Sequence, residues 1–85
     1  MKNVLLLGSF SASPNPASTS LDIDALENAL LSVTISNLKD NCVKEIFNYK
    51  GKSDIDVNDL RDDDYVVKTY LEGKLVNQER IRISH

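Results

Sequence analysis

The chain has one cysteine, no tryptophan, two prolines, three glycines and one histidine among its 85 residues. Each scarcity excludes something. A lone Cys42 cannot close an intrachain disulfide, so the fold must hold by packing, and the cysteine count says nothing of redox compartment. Cys42 is expected to be a half-buried small apolar residue. A reactive thiol would need a neighbouring cation or base, which the sequence does not promise. The only histidine is His85, the last residue, where chains fray. No Ser-His-Asp or Cys-His set can be assembled around it, and an enzyme is not expected. There is no cluster of zinc ligands and no glycine-rich phosphate loop, so no metal and no cofactor is implied. The longest strictly apolar run is Val4–Leu7, against the ~20 residues that a membrane-spanning helix needs. The net charge of −3 argues against a nucleic-acid partner, which calls for a basic face.

What remains is enough for one small domain. A chain of this length buries roughly 60–65% of the surface its unfolded form exposes. Charge is unevenly spread. Residues 54–64 carry six Asp against Arg61 alone, whereas residues 68–85 carry four cations against Glu72 and Glu79. The C-terminal end is therefore mildly basic. At the other end, Lys2 and the broken apolar stretch Val4–Phe10 allow two readings. One is a short signal peptide with a poor cleavage site at Ser9–Ser11; the other is linker or the lead into a first strand. Residues 1–9 are accordingly read as leader, linker or first-strand extension, and residues 10–85 as the domain.

The pattern is of short strands between turns. Leu21-Asp22-Ile23 alternates apolar and polar residues, and Leu31–Ser36 does so strictly, with β-branched residues. Lys39-Asp40-Asn41 is a turn, and Cys42–Phe47 is the expected partner of 31–36. Asn48–Ser53 reads as the next turn. Ile55 and Val57 alternate with Asp54, Asp56 and Asn58, and Leu60–Asp64 is a polar corner. Tyr65–Leu71 is the second clear strand, with Tyr65, Val67 and Leu71 inward. Glu72-Gly73 supplies a two-residue hairpin loop. Leu75–Ile83 returns, with Leu75, Ile81 and Ile83 on one face and Arg80 and Arg82 on the other. Asp24–Leu31 is ambiguous between a one- or two-turn helix, with Asp24 and Glu27 as a capping box, and a loop. Six to seven strands at this spacing predict an all-β fold, an immunoglobulin-like antiparallel β-sandwich of about seven short strands.

Pro14-Asn15-Pro16-Ala17 stands out. Each proline fixes φ, deletes a donor and forces its predecessor into extended geometry, so the segment is a stiff kink. Taken with Val33–Leu38, Val43-Lys44-Glu45-Ile46, Asp59-Leu60, the aromatic-led strand from Tyr65, Gly73-Lys74 and the basic Arg80–Ile83, it resembles the C-terminal sorting domain that Bacteroidetes proteins carry for type IX secretion. The likeness covers about residues 10–84. Two positions depart from it, since that family usually has glycine where Asp40 and Asp63 stand.

The resemblance implies a non-catalytic C-terminal sorting or anchoring domain that directs an upstream cargo through the type IX system. The partners would be the secretion and translocation machinery of the outer membrane. The product would be exported, pass through the periplasm and reach the cell surface or the exterior. The candidate partner-binding residues are Pro14, Asn15, Pro16 and Ala17 with Arg80, Ile81, Arg82 and Ile83. The last four are expected to form an edge strand open to strand addition, and so also to an edge-strand homodimer. The alternative is a free-standing secreted immunoglobulin-like module for adhesion or for binding protein or glycan.

Two smaller readings complete the sequence. Asp54-x-Asp56-x-Asn58 starts like a calcium loop, but Asp59 stands where glycine is needed and Tyr65 where a bidentate Glu belongs. A solvated face is preferred, and any weak Ca²⁺ binding would fall at Asp62–Asp64. Tyr65, opening a strand after an acidic corner, fits a tyrosine corner whose hydroxyl bonds back to main chain. Tyr49 and Tyr70 read as surface or rim residues.

Overall fold

The computed structural model describes residues 9–25 and 29–85, and within them the fold is all-β. Seven strands run in chain order: β1 (Ala12–Ser13), β2 (Ser20–Ile23), β3 (Leu30–Asn37), β4 (Cys42–Lys50), β5 (Ile55–Asp56), β6 (Asp63–Leu71) and β7 (Lys74–Ile83). They form two antiparallel sheets, ordered β1-β2-β5 and β4-β3-β6-β7. This is the expected sandwich. Met1–Gly8, where the leader readings fall, and Leu26–Asn28, the middle of the ambiguous stretch, lie outside the described residues. The flanking Ala25 and Ala29 are buried.

Alternation puts the core where the sequence places it. Leu31, Val33 and Ile35 of β3 and Tyr65 and Val67 of β6 face inward, against Leu21, Ile23 and Ile55 of the other sheet and Val57 just beyond β5. Ile81 and Ile83 close the core from β7. The β6–β7 loop is Glu72-Gly73, with φ of 52° and 81°. Both residues are left-handed, the requirement of the tight turn that matches strand twist. Asp40 is also left-handed, at 69°. That explains the glycine usual at this position, and Asp is among the residues that tolerate it.

Four local expectations fail, three of them because β-bulges shift the period of two. Strand β4 carries two register irregularities against β3, between the Tyr49 and Ile46 pairs and between Lys44 and Cys42. Asn48, at φ 55°, absorbs the first. The strand therefore continues to Lys50 instead of ending at Phe47, and Tyr49 turns into the core at 4% exposure. Cys42, expected half-buried, is exposed at the second irregularity, where its thiol points at the Lys44 carbonyl at 3.5 Å. On β7 a third irregularity inserts Val76, which packs on the core, and Leu75 is left on the outer face at 49% exposure. The fourth failure is the corner at Leu60–Asp64: β6 already begins at Asp63, and Leu60 is buried.

Tyr49 joins the two sheets. Its hydroxyl accepts the β2 amide of Ile23 at 2.8 Å and donates to the Ser53 carbonyl. Burial pushes its pKa up. Tyr65 makes the tyrosine corner, its hydroxyl donating to the Arg61 carbonyl at 2.7 Å. Lys44, on the inward phase of an edge strand, reaches across to the Asp56 carbonyl at 2.8 Å and to Asp59 at 3.0 Å. An inward cation and two bulges on a sheet edge discourage pairing with another chain.

Candidate functional site

The two halves of the sequence-derived site lie side by side. After β1 pairs with β2 through Ala12 and Ile23, the chain turns at Pro14-Asn15-Pro16 and comes down against β7. Both proline peptide bonds are cis. Ala17 then forms a parallel bridge with Ile83. Its amide donates to the Arg82 carbonyl at 2.9 Å, and its carbonyl accepts the Ser84 amide at 2.8 Å. Asn15 completes the contact, its Oδ1 accepting the Arg82 amide at 3.0 Å.

The segment from Phe10 to Ala17 is thus a strap along the β7 edge. Higher up, side chains stand in for the missing ladder. Asn77 Nδ2 donates to the Phe10 carbonyl at 2.9 Å, and Glu79 Oε1 accepts the Ala12 amide at 2.8 Å. Asn77 and Glu79 pair with Thr69 and Val67, both inward residues of β6. Their register carried the only clue to this role, because polar residues interrupt the inward set between Leu75 and Ile81. The other side of the strap is tied to β2, where Phe10 donates to the Asp24 carbonyl and Ser11 accepts the Asp24 amide.

This arrangement sorts the eight candidate residues. Ala17, Ile81 and Ile83 are at most 1% exposed and belong to the core. Pro14, Asn15, Pro16, Arg80 and Arg82 are exposed. Within Arg80–Ile83, expected open to strand addition, the main chain of Arg82 is already bonded to the strap, as is the amide of Ser84 beyond it. The same occupancy removes the surface that an edge-strand homodimer through the end of β7 would use.

Electrostatics continue the same end of the molecule. Asp64 sits across the β6–β7 ladder from Arg82 and pairs with it at 3.2 Å, and with Arg80 at 3.9 Å. Asp63 accepts the Asp64 amide, and Asp62 accepts the amide of His85 at 3.1 Å. The acidic corner is thereby engaged by the C-terminal strand and its own backbone. His85 Nε2 lies 2.5 Å from the Leu60 carbonyl and 3.8 Å from Asp62. The carbonyl contact, above all, raises the His85 pKa above its ordinary value. Protonation fixes a hydrogen on Nε2 and strengthens the bond to Leu60, so the extra stability is fully present below the ordinary imidazole pKa and is lost as pH rises through the raised one. A proton NMR titration should therefore place His85 above about 6.5. Asp62→Asn should leave most of that shift in place, because the carbonyl is its main cause. A titration at or below the free value would refute the contact.

The geometry is that of an immunoglobulin-like sandwich with a proline strap bonded to a basic terminal strand. The profile of the secretion system C-terminal sorting domain matches residues 11–84, and the chain belongs to that family. It implies export through the secretion system, with the machinery and an upstream cargo as partners. No curated protein and no solved structure matches the chain.

Proposed function

We propose that this domain is the type IX export address of a cargo attached ahead of it, and that the surface read is the exposed pair of Pro14–Pro16 and Arg80/Arg82. The carrying observation is that Asn15 holds the main chain of Arg82. Two segments 67 residues apart in sequence thus present one patch, joined only in the folded domain. The outer-membrane translocation machinery, engaging it from the periplasm, would grip proline rings and guanidinium groups, since the main chain of residues 82–84 is already bonded. The cargo would then reach the cell surface or the exterior. In this reading the domain does no chemistry; its role is protein binding.

The test is a fusion of signal peptide, fluorescent reporter and residues 9–85 in a Bacteroidetes host, with and without a working type IX system. The wild-type fusion should appear at the surface only when the system works. Arg80→Gln with Arg82→Gln should cut surface reporter to about a tenth while leaving the fold intact, since exposed ion pairs contribute little to stability and the change brings no acid against Asp64. Surface delivery at the wild-type level by that variant would sink the assignment of the patch. Reporter held in the periplasm of both hosts would instead favour a free-standing secreted module.

A further inference from the structure

The outer face of the four-stranded sheet, opposite the core, carries a row of apolar side chains that nothing in the sorting role accounts for. Phe47 is 65% exposed and Leu75 49%. Between them stand Ser32 and the half-buried Tyr70, which pair with each other, while Leu75 pairs with Tyr70. Phe47, beside the β4 irregularity, lies across from Ser32. The row Phe47, Ser32, Tyr70, Leu75 therefore crosses all four strands. Leu30, 54% exposed, adjoins it.

The charges flanking this row are arranged to suit one kind of occupant. On one side lie Lys50, paired with Leu30, and Glu72 in the turn beyond β6. On the other side lie Glu45 and Lys68, both paired with Thr34. None of these four forms an ion pair among the described residues. Consider a two-fold axis laid along the row. It turns each strand end for end and brings the two flanks face to face, strand upon strand. Lys50 of one copy then meets Glu45 of the other on β4, and Lys68 meets Glu72 at β6. The apolar row packs on itself, Phe47 on Phe47 and Tyr70 on Tyr70. A closed two-fold contact must be self-complementary in this way, each residue of one flank meeting its opposite on the other.

We infer that this face is a docking surface for a second copy of the chain, forming a two-fold, sheet-on-sheet dimer. The contact leaves the strap and Arg80/Arg82 free, so it does not depend on the proposed sorting role. A patch of this size gives a weak, concentration-dependent association rather than an obligate one. The charged rim selects the partner and its orientation more than it adds affinity.

Sedimentation equilibrium of the 85-residue chain tests this directly. The wild type should show a monomer–dimer equilibrium. Phe47→Ser should weaken it at least about tenfold, and the exposed position leaves the fold unaffected. Lys50→Glu sets two acids against each other across the contact and should weaken the dimer, whereas Lys50→Glu combined with Glu45→Lys should restore it. A chain that stays monomeric at about millimolar concentration overturns the inference and leaves the row to a partner of another kind. So does a dimer indifferent to Phe47→Ser, or a double swap that fails to restore a dimer lost in the single variant. Circular dichroism of each variant separates these outcomes from unfolding.

Discussion

Tyr49→Phe should cost about 2–3 kcal/mol of stability, roughly a 10–20 °C fall in midpoint for a domain this small. The substitution keeps the buried ring and removes one oxygen. That oxygen accepts the Ile23 amide of the opposite sheet and donates to the Ser53 carbonyl. With the oxygen gone, a buried N–H on β2 has no partner, and leaving such a donor unmet costs more than an average hydrogen bond contributes. Tyr70→Phe is the control, because its half-buried hydroxyl has no protein hydrogen bond among the described residues; its effect should stay within about 0.5 kcal/mol. Urea unfolding of the two variants beside the wild type measures both. Equal midpoints for Tyr49→Phe and Tyr70→Phe would show that the link between the sheets does not contribute.

Ile83→Ala should be the larger loss, about 2–4 kcal/mol from the transfer and cavity terms alone. Ile83 is fully buried and is the β7 partner of Ala17, so the vacated volume lies directly behind the strap. In a domain of this size that is a large part of the whole stability. Amide exchange should register a local effect besides the global one. The amides of Ala17 and Ser84 should lose protection first, because their bonds rest on the packing of this side chain. If these two amides exchange no faster than that of Ile35 on β3, the strap is held by something other than Ile83. The consequence for export assays is practical. Removing Ile81–His85 takes away two core residues as well as Arg82, so loss of export on that deletion would not separate address from fold. The paired arginine substitutions do.

Much of this architecture is legible from the chain. The strict alternation of Leu31–Ser36 and the aromatic-led run from Tyr65 mark the two central strands and their inward residues, and the Glu72-Gly73 turn marks the β6–β7 hairpin. The tyrosine corner follows from Tyr65 standing after an acidic turn. The order of Pro14–Ala17 and the terminal basic strand points to the family. What escapes is whatever depends on a bulge. An irregularity exchanges inside and outside beyond itself, and here no glycine announces it: Asn48, not glycine, takes the left-handed position on β4. Tyr49, Cys42 and Leu75 all change sides for this reason. The contact of Asn15 and Ala17 with the end of β7 is not legible in the sequence. Nothing in the alternation of β7 says that its edge is filled by the first segment of the domain, and Asn77 and Glu79 signal it only as polar residues in an inward register.

The strap gives the domain a mechanical character. It runs parallel to β7, so a cargo ahead of Ser9 and a grip beyond Ser84 would pull the two strands in opposite directions along a common axis. Such a load slides the segments past each other and strains all the cross-bonds together: Phe10 to Asn77, Ala12 to Glu79, Asn15 to Arg82, and the two main-chain bonds of Ala17. A hairpin pulled at its open end parts one bond at a time. This joint would part all at once, so a load applied between its two ends meets the strap and β7 in shear.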